Sequence, residues 1–278
     1  MSNRLQALLK GEKPIVMGIL NTTPDSFSDG GNFTSLDLAV NHALLMQQDG
    51  ADIIDIGGES TRPGAAAVSL EDELQRVIPL IEALRACSDV CISIDTSKAE
   101  VMRAAVNAGA NLVNDVNALR AGGALHVCAE LQVPVCIMHM QGEPRTMQQN
   151  PSYENVVDDI KGFLQQRVAA CVDAGIVKRN IVLDPGFGFG KNLQQNLQLL
   201  NELSSFESMG LPVLVGLSRK SMLGTILDSA PADQRLHASV AAAVLAWTKG
   251  AKIFRVHDVK PTVDALKVCV AMHGVSTL

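Results

Sequence analysis

The chain has 278 residues and a formal net charge of −6; 47% of its residues are hydrophobic but only 3% are aromatic. Length allows one large domain or two small ones, while the lack of a basic face excludes an extended nucleic-acid surface. The N-terminal MSNRLQALLKGEKP lacks the apolar centre of a signal peptide, no apolar span reaches the roughly 18 residues a membrane helix needs, and the six cysteines form no CxxC pair, so a soluble cytoplasmic protein with buried, reduced thiols is expected.

In chain order, the first apolar run is Ile15–Leu20, and it stops at Asn21. The polar, Gly-rich stretch from Asn21 to about Thr34 is far longer than the roughly 2–6 residues of an ordinary strand-to-helix connection. Ser35 then caps a stretch with Leu36, Val40, Ala43 and Leu44 on one face, and Gly50 ends it. The second run, Ile53–Ile56, opens another long loop, from Gly57 to about Val68. Ser69 leads into Leu74, Val77, Ile78, Ile81 and Leu84, the spacing of one helix face, with Pro79 expected to interrupt or kink it. After the third run, Val90–Ile94, come Asp95-Thr96-Ser97. Ser97-x-x-Glu100 there reads as a capping box ahead of Val101, Ala104 and Ala105, with Gly109 as the stop. The remaining runs are Leu112–Val113, Val133–Met138, Ile181–Leu183, Leu211–Val215 and Ile253–Val256, and helical patterns cover 152–174 and 236–249. No linker or low-complexity segment breaks the series, so residues 1–278 read as a single domain.

Short runs rich in Val and Ile, alternating with helices, imply a parallel sheet buried on both faces. No GxGxxG follows the first run, and the count of eight favours a closed (β/α)8 TIM barrel over an open sheet.

Every run delivers a polar or charged residue at its carboxyl end, where the active sites of such barrels gather. These are Asn21, the Gly57–Gly64 loop, Asp95, Asn114 with Asp115, His139, Asp184, the Ser218–Ser221 segment, and Arg255 with His257 and Asp258. Any one of them could be a helix cap; eight in eight is hard to explain that way. Asp95, Asn114, Asp184 and Lys220 supply acceptors and donors suited to a flat, nitrogen-rich heterocycle. Arg62, Arg255 and His257 form a cationic group suited to phosphate, and an Arg can also stack on an aromatic face. The two long loops have the composition of lids that close over substrate. LDPGFGFGK (Leu183 to Lys191) is not a Walker A loop, because Asn192 follows its lysine; it reads as a turn that lets backbone approach a ligand beside Asp184.

ILNTTPDSFSDGG, GGESTRPGA, SIDTSK, NDV, LDPGFGFGK, GLSRKSMLG and RVHDV occur in this order between about Pro14 and Val268. In these seven motifs the chain resembles the dihydropteroate synthase family of pterin-binding enzymes, in its bacterial chromosomal form. The resemblance implies a transferase of folate synthesis that condenses 6-hydroxymethyl-7,8-dihydropterin diphosphate with 4-aminobenzoate, releasing pyrophosphate by an SN1-like path, and that sulfonamides target. It implies that Asp95, Asn114, Asp184 and Lys220 hold the pterin and that Arg255 stacks on it. It assigns the diphosphate to Asn21, Thr61, Arg62, Arg255 and His257, with Mg2+ at Asn21. Phe27, Pro63, Lys220 and Ser221 would frame the aminobenzoate, and Asp29 would act from the first loop. A homodimer is also expected from the resemblance.

Three rivals deserve comparison. A pterin-dependent methyltransferase shares the carboxylate and amide set but has no use for the diphosphate groups of TRPG and RVHD. A Schiff-base aldolase needs a desolvated strand lysine, and neither Lys220 nor Lys252 occupies a strand run. A non-catalytic pterin-binding barrel would not need both the pterin and the phosphate groups.

Overall fold

The computed structural model describes residues 4–22, 35–60, 66–142, 146–148 and 150–274. Its strands are β1 (Ile15–Asn21), β2 (Ile53–Gly57), β3 (Cys91–Asp95), β4 (Leu112–Asp115), β5 (Val135–Met138), β6 (Ile181–Asp184), β7 (Leu214–Val215) and β8 (Ile253–Val256). The helices are α1 (Arg4–Leu9), α2 (Ser35–Gln48), α3 (Leu70–Cys87), α4 (Ala99–Ala108), α5 (Ala124–Leu131), α6 (Val156–Asp173), α7 (Leu193–Asn201), α8 (Ser221–Ile226), α9 (Leu236–Trp247) and α10 (Val259–His273). The parallel strands pair in the order β6-β5-β4-β3-β2-β1-β8-β7, and a parallel bridge from Leu183 to Val213 joins the two ends. The sheet is therefore a closed (β/α)8 barrel with its helices outside.

Alternation along each strand divides the apolar residues into two cores. One set, including Ile54, Ile92, Val113, Ile137, Leu183 and Phe254, faces outward and packs with the helices. The other fills the barrel's lower interior with Ile15, Met17, Ile53, Cys91, Leu112, Cys136, Val182, Leu214 and Ile253, and Leu5 of α1 closes that end. Four to seven residues per strand suffice for most of the circuit because both faces are buried.

Several boundaries differ from the sequence reading for identifiable reasons. β5 and β7 begin late because Pro134 and Pro212 have no N–H to give the ladder; their carbonyls accept instead, from Val113 N and Leu183 N. Leu112–Val113, short in the sequence reading, extends through Asn114 and Asp115. Pro79 does not interrupt α3, which is continuous from Leu70 to Cys87; Ser69 caps it, accepting from Asp72 N. The capping box at Ser97 is corrected. α4 begins at Ala99 with Lys98 at its N-cap position and no side-chain cap, because the Ser97 hydroxyl donates to the buried Asp115 carboxylate. Ser35 is the first residue of α2 rather than a residue preceding it.

Candidate functional site

Register decides which polar residues share the interior. Gly57 pairs with Asp95, Asp95 with Asn114, and Met138 with Asp184. On the other side Met17 pairs with Arg255. Each inward series begins apolar and then turns polar: Ile53-Asp55 (followed by Gly57), Cys91-Ser93-Asp95, Leu112-Asn114, Val182-Asp184 and Ile253-Arg255. Polar groups thus meet above the apolar floor, at the carboxyl end of the barrel.

Arg255 is the hub of this layer. Its Nε donates to Asp55 Oδ2 at 2.6 Å and its Nη2 to Asp95 Oδ2 at 2.7 Å. Asn114 Nδ2 reaches the same Asp55 oxygen at 3.4 Å. Asp55 has no exposed surface, and among the described residues its Oδ1 has no hydrogen-bond partner. Burial raises the Asp95 pKa, Arg255 opposes that, and the Asp55 charge adds to it. Burial pulls the Arg255 guanidinium down, but Asp55 and Asp95 together outweigh it and its pKa rises. Asp184 is also raised by burial, against the pull of the Gly186 N–H and Lys220.

The turn after β6 organises the next sector. Gly186 N donates to Asp184 Oδ1 at 2.7 Å, fixing that carboxylate. Gly186 requires its φ of +72°, and a Cβ there would stand 1.9 Å from the His139 carbonyl oxygen. The Phe189 ring lies 4.1 Å from Lys220 Nζ, a cation–π contact. Burial pushes the Lys220 amine down to about 8. Lys220 stands at the N-cap position of α8, and Ser221, the first residue of that helix, is exposed.

The rim carries Asn21 and His257. Asn21 ends β1 half-buried, and its Oδ1 and the Asp95 side chain flank the space where a Gly57 Cβ would be, at 3.7 and 3.5 Å. Ser218 Oγ contacts His257 Nδ1 at 3.1 Å and accepts from His257 N at 3.2 Å. Arg219 grips Asp258 with two bonds, of 3.0 and 2.6 Å, tying the loop after β7 to the loop after β8. Beside the second long loop, Glu59 accepts from Val68 N at 3.2 Å, and Lys98 bridges Glu59 and the fully buried Glu73.

The barrel therefore brings together Asn21, Asp95, Asn114, Asp184, Lys220, Arg255 and His257. Phe27, Asp29, Thr61, Arg62 and Pro63 lie outside the described residues. Two residues flagged at strand ends serve the fold instead. Asp115 accepts from Asn117 N and Leu119 N at 2.8 and 2.7 Å, as well as from Ser97. His139 is buried, with its ring edge-on to Phe163 at 5.0 Å and its Nδ1 3.1 Å from Lys191 Nζ; burial drives its pKa down to about 3, so it stays neutral. Sequence reasoning missed Asp55, Phe189 and Lys191. Asp55 was detectable as a charge on the inward parity of a strand buried on both faces; Phe189 and Lys191 sit in a motif already noticed for its glycines.

A parallel barrel that gathers three buried carboxylates, an amide and cations at its carboxyl mouth defines a class: barrel enzymes that bind a small polar heterocycle. Comparison with known proteins narrows it. A model of the pterin binding enzyme family matches residues 17–257. The dihydropteroate synthase of Haemophilus influenzae is 58% identical over 255 residues, covering 92% of this chain and 92% of that protein. A Yersinia pestis dihydropteroate synthase, solved with a sulfonamide drug complex, superposes with a TM-score of 0.90 at 54% identity, covering 95% of each chain. A Xanthomonas albilineans dihydropteroate synthase in complex with 7,8-dihydropteroate gives 0.87 at 50% identity, again over 95% of each. The chain belongs to the pterin-binding enzymes and, among them, to the dihydropteroate synthase family.

Proposed function

We propose that the protein condenses 6-hydroxymethyl-7,8-dihydropterin diphosphate with 4-aminobenzoate, giving 7,8-dihydropteroate and pyrophosphate in folate synthesis. The observation that carries the reading is the inward layer of Asp95, Asn114 and Asp184, with Lys220 and Arg255 beside it. A pterin has amino and ring N–H donors along one edge and a carbonyl and ring nitrogens elsewhere. Fixed carboxylates accept from the first; Asn114 and Lys220 donate to the second. Arg255 offers a planar cation to the ring face once the pterin competes for Asp95.

Chemistry then occurs above the pterin. Breaking the C–O bond sends charge onto pyrophosphate and leaves a cation that the electron-rich dihydropterin stabilises at its exocyclic methylene. Arg62, Arg255 and His257 are assigned to the leaving group, with Asn21 and Thr61 also on the diphosphate; losing one such cation costs on the order of 3–4 kcal/mol in the barrier. The arylamine is already a neutral nucleophile, so no strong base is required; the new C–N bond leaves a proton on nitrogen that passes to solvent or the released pyrophosphate. Phe27, Pro63, Lys220 and Ser221 are assigned to framing the aminobenzoate, and Asp29 to closing over both substrates and excluding water.

Mg2+ suits this site because it prefers few protein oxygens and completes its shell with substrate phosphates and water. Asn21 offers such an oxygen where Gly57 leaves room. When bound, Mg2+ would neutralise diphosphate charge.

A homodimer is part of the proposal. Leu245 on α9 and Val268 and Met272 on α10 are 52, 70 and 63% exposed, and covering them would remove apolar surface from water. A cytoplasmic location is supported by six unpaired cysteines, five of them buried; no described helix is long and apolar enough to cross a membrane.

Pyrophosphate release on mixing the two substrates tests the reading and separates it from a methyltransferase, an aldolase or a binding protein. Sulfonamides should inhibit competitively with aminobenzoate; inhibition indifferent to aminobenzoate concentration would count against the assigned pocket.

A further inference from the structure

Lys191 is a buried amine that the reaction above does not use. It is 2% exposed, and its partners are uncharged: Gly186 O at 2.7 Å, Phe189 O at 3.0 Å and His139 Nδ1 at 3.1 Å. Burying a lysine is costly, so three well-placed acceptors are needed to hold it. They are met in either protonation state. An ammonium donates to all three, whereas a neutral amine donates to the two carbonyls and accepts from the Nδ1–H of the other His139 tautomer. Burial brings the group down to about 7, and His139 stays neutral, so both states lie within reach.

The turn that Lys191 ties is unusually free in its backbone. Gly186, Gly188 and Gly190 have φ of +72°, +80° and +62°, so no side-chain sterics of their own hold them. Asn196 supplies a second tie, accepting from Gly188 N at 2.8 Å. Both residues whose carbonyls Lys191 holds act on the site. Gly186 donates its N–H to Asp184 Oδ1, and Phe189 carries its ring against Lys220 Nζ. Gly188 lies so close that a Cβ there would be 3.1 Å from Lys220 Cδ.

We propose that Lys191 is a positioning residue for the pterin: by pinning the Gly186 and Phe189 carbonyls, it makes one turn hold Asp184 and Lys220 in mutual register. The inference rests on the proposed function, which assigns those two groups to the pterin.

The test uses the full chain and 6-hydroxymethyl-7,8-dihydropterin diphosphate as the probe, with dissociation constants from calorimetry. Lys191→Met, similar in length but without donors, should weaken binding about tenfold or more, which is about 1.4 kcal/mol. Lys220→Met should weaken it too. In the double variant the combined loss should be smaller than the product of the two, because Lys191 acts partly through Lys220. Binding within twofold of wild type in Lys191→Met, or a fully multiplicative double variant, overturns the proposal. If Lys191→Met does not fold, Lys191→Gln takes its place: it keeps an amide NH2 on a shorter side chain, an intermediate loss supports the role, and wild-type affinity overturns it. Should the wild type itself not bind the probe, the functional reading falls first and this inference with it. Wild-type binding with unaffected variants removes only the inference.

Discussion

Asp55 offers the sharpest test of the site's physics. Its Oδ2 takes a charge-assisted bond from Arg255 Nε at 2.6 Å and a marginal one from Asn114 at 3.4 Å. Hydrogen bonds to charged groups contribute about 1.5–3 kcal/mol net, and the marginal contact adds little. Breaking a fully buried pair costs about 3–5 kcal/mol, but Arg255 keeps Asp95 at 2.7 Å and its side chain retains 21% exposure, so the loss falls below that range. The expected Asp55–Arg255 coupling is therefore about 2 kcal/mol. Urea unfolding of wild type, Asp55→Asn, Arg255→Met and the double variant yields it as a double-mutant cycle. A coupling below about 0.5 kcal/mol, the usual additivity error, would refute the argument, since Asp55 would then hold the guanidinium no better than water. Catalysis should follow stability: Asp55→Asn loosens Arg255, and kcat/KM should fall by about tenfold, the equivalent of about 1.4 kcal/mol.

Asp184→Asn should abolish pterin-diphosphate binding in calorimetry, because an amide cannot replace both acceptor oxygens; unchanged affinity would remove Asp184 from the pterin site. Gly186→Ala places a Cβ 1.9 Å from the His139 carbonyl oxygen at a φ of +72°, and should cost about 3 kcal/mol or more in urea unfolding; a loss under about 1 kcal/mol would show that the turn relaxes freely. Lys191 titrates at about 7 when folded, against 10.5 ordinarily. Between these values the unfolded chain binds more protons, so this group adds to stability as pH rises and withholds it below about pH 7. The stability of wild type relative to Lys191→Met should accordingly increase from pH 7 to pH 10, and a flat difference would contradict the burial of the amine.

The barrel was legible because two simple patterns agreed. Eight Val- and Ile-rich runs announced buried parallel strands, and the polar residue ending each run announced the mouth. Asp95, Asn114, Asp184 and Arg255 could be gathered this way because each sits at or beside a strand terminus. Asp55 lacks that terminal signature, since it lies one inward position deeper; its charge inside an apolar run was the available sign, and the register places it opposite Ser93 and beside Arg255. His139 and Asp115 carried the same terminal signature as the site residues but are spent on packing and backbone bonds, a distinction composed entirely of tertiary contacts. Ser97-x-x-Glu100 failed for the same reason: a capping motif is a local competitor, and the buried Asp115 carboxylate outcompeted the helix for the hydroxyl. Lys191 was visible as a letter in a glycine motif, yet its three acceptors come from two different loops.

The apolar floor beneath the site has a consequence for traffic. Ile15, Met17, Ile53, Cys91, Leu112, Cys136, Val182, Leu214 and Ile253 fill the lower interior, and Leu5 seals it from below. A vessel stoppered at one end has a single doorway, and whatever lies deepest must enter first and leave last. On the proposed assignment, which puts the pterin against Asp95, Asn114 and Asp184 and the aminobenzoate nearer the rim, an early aminobenzoate would stand in the pterin's path. The packing of these ten side chains, set below the site, would in this way impose a queue on the two substrates.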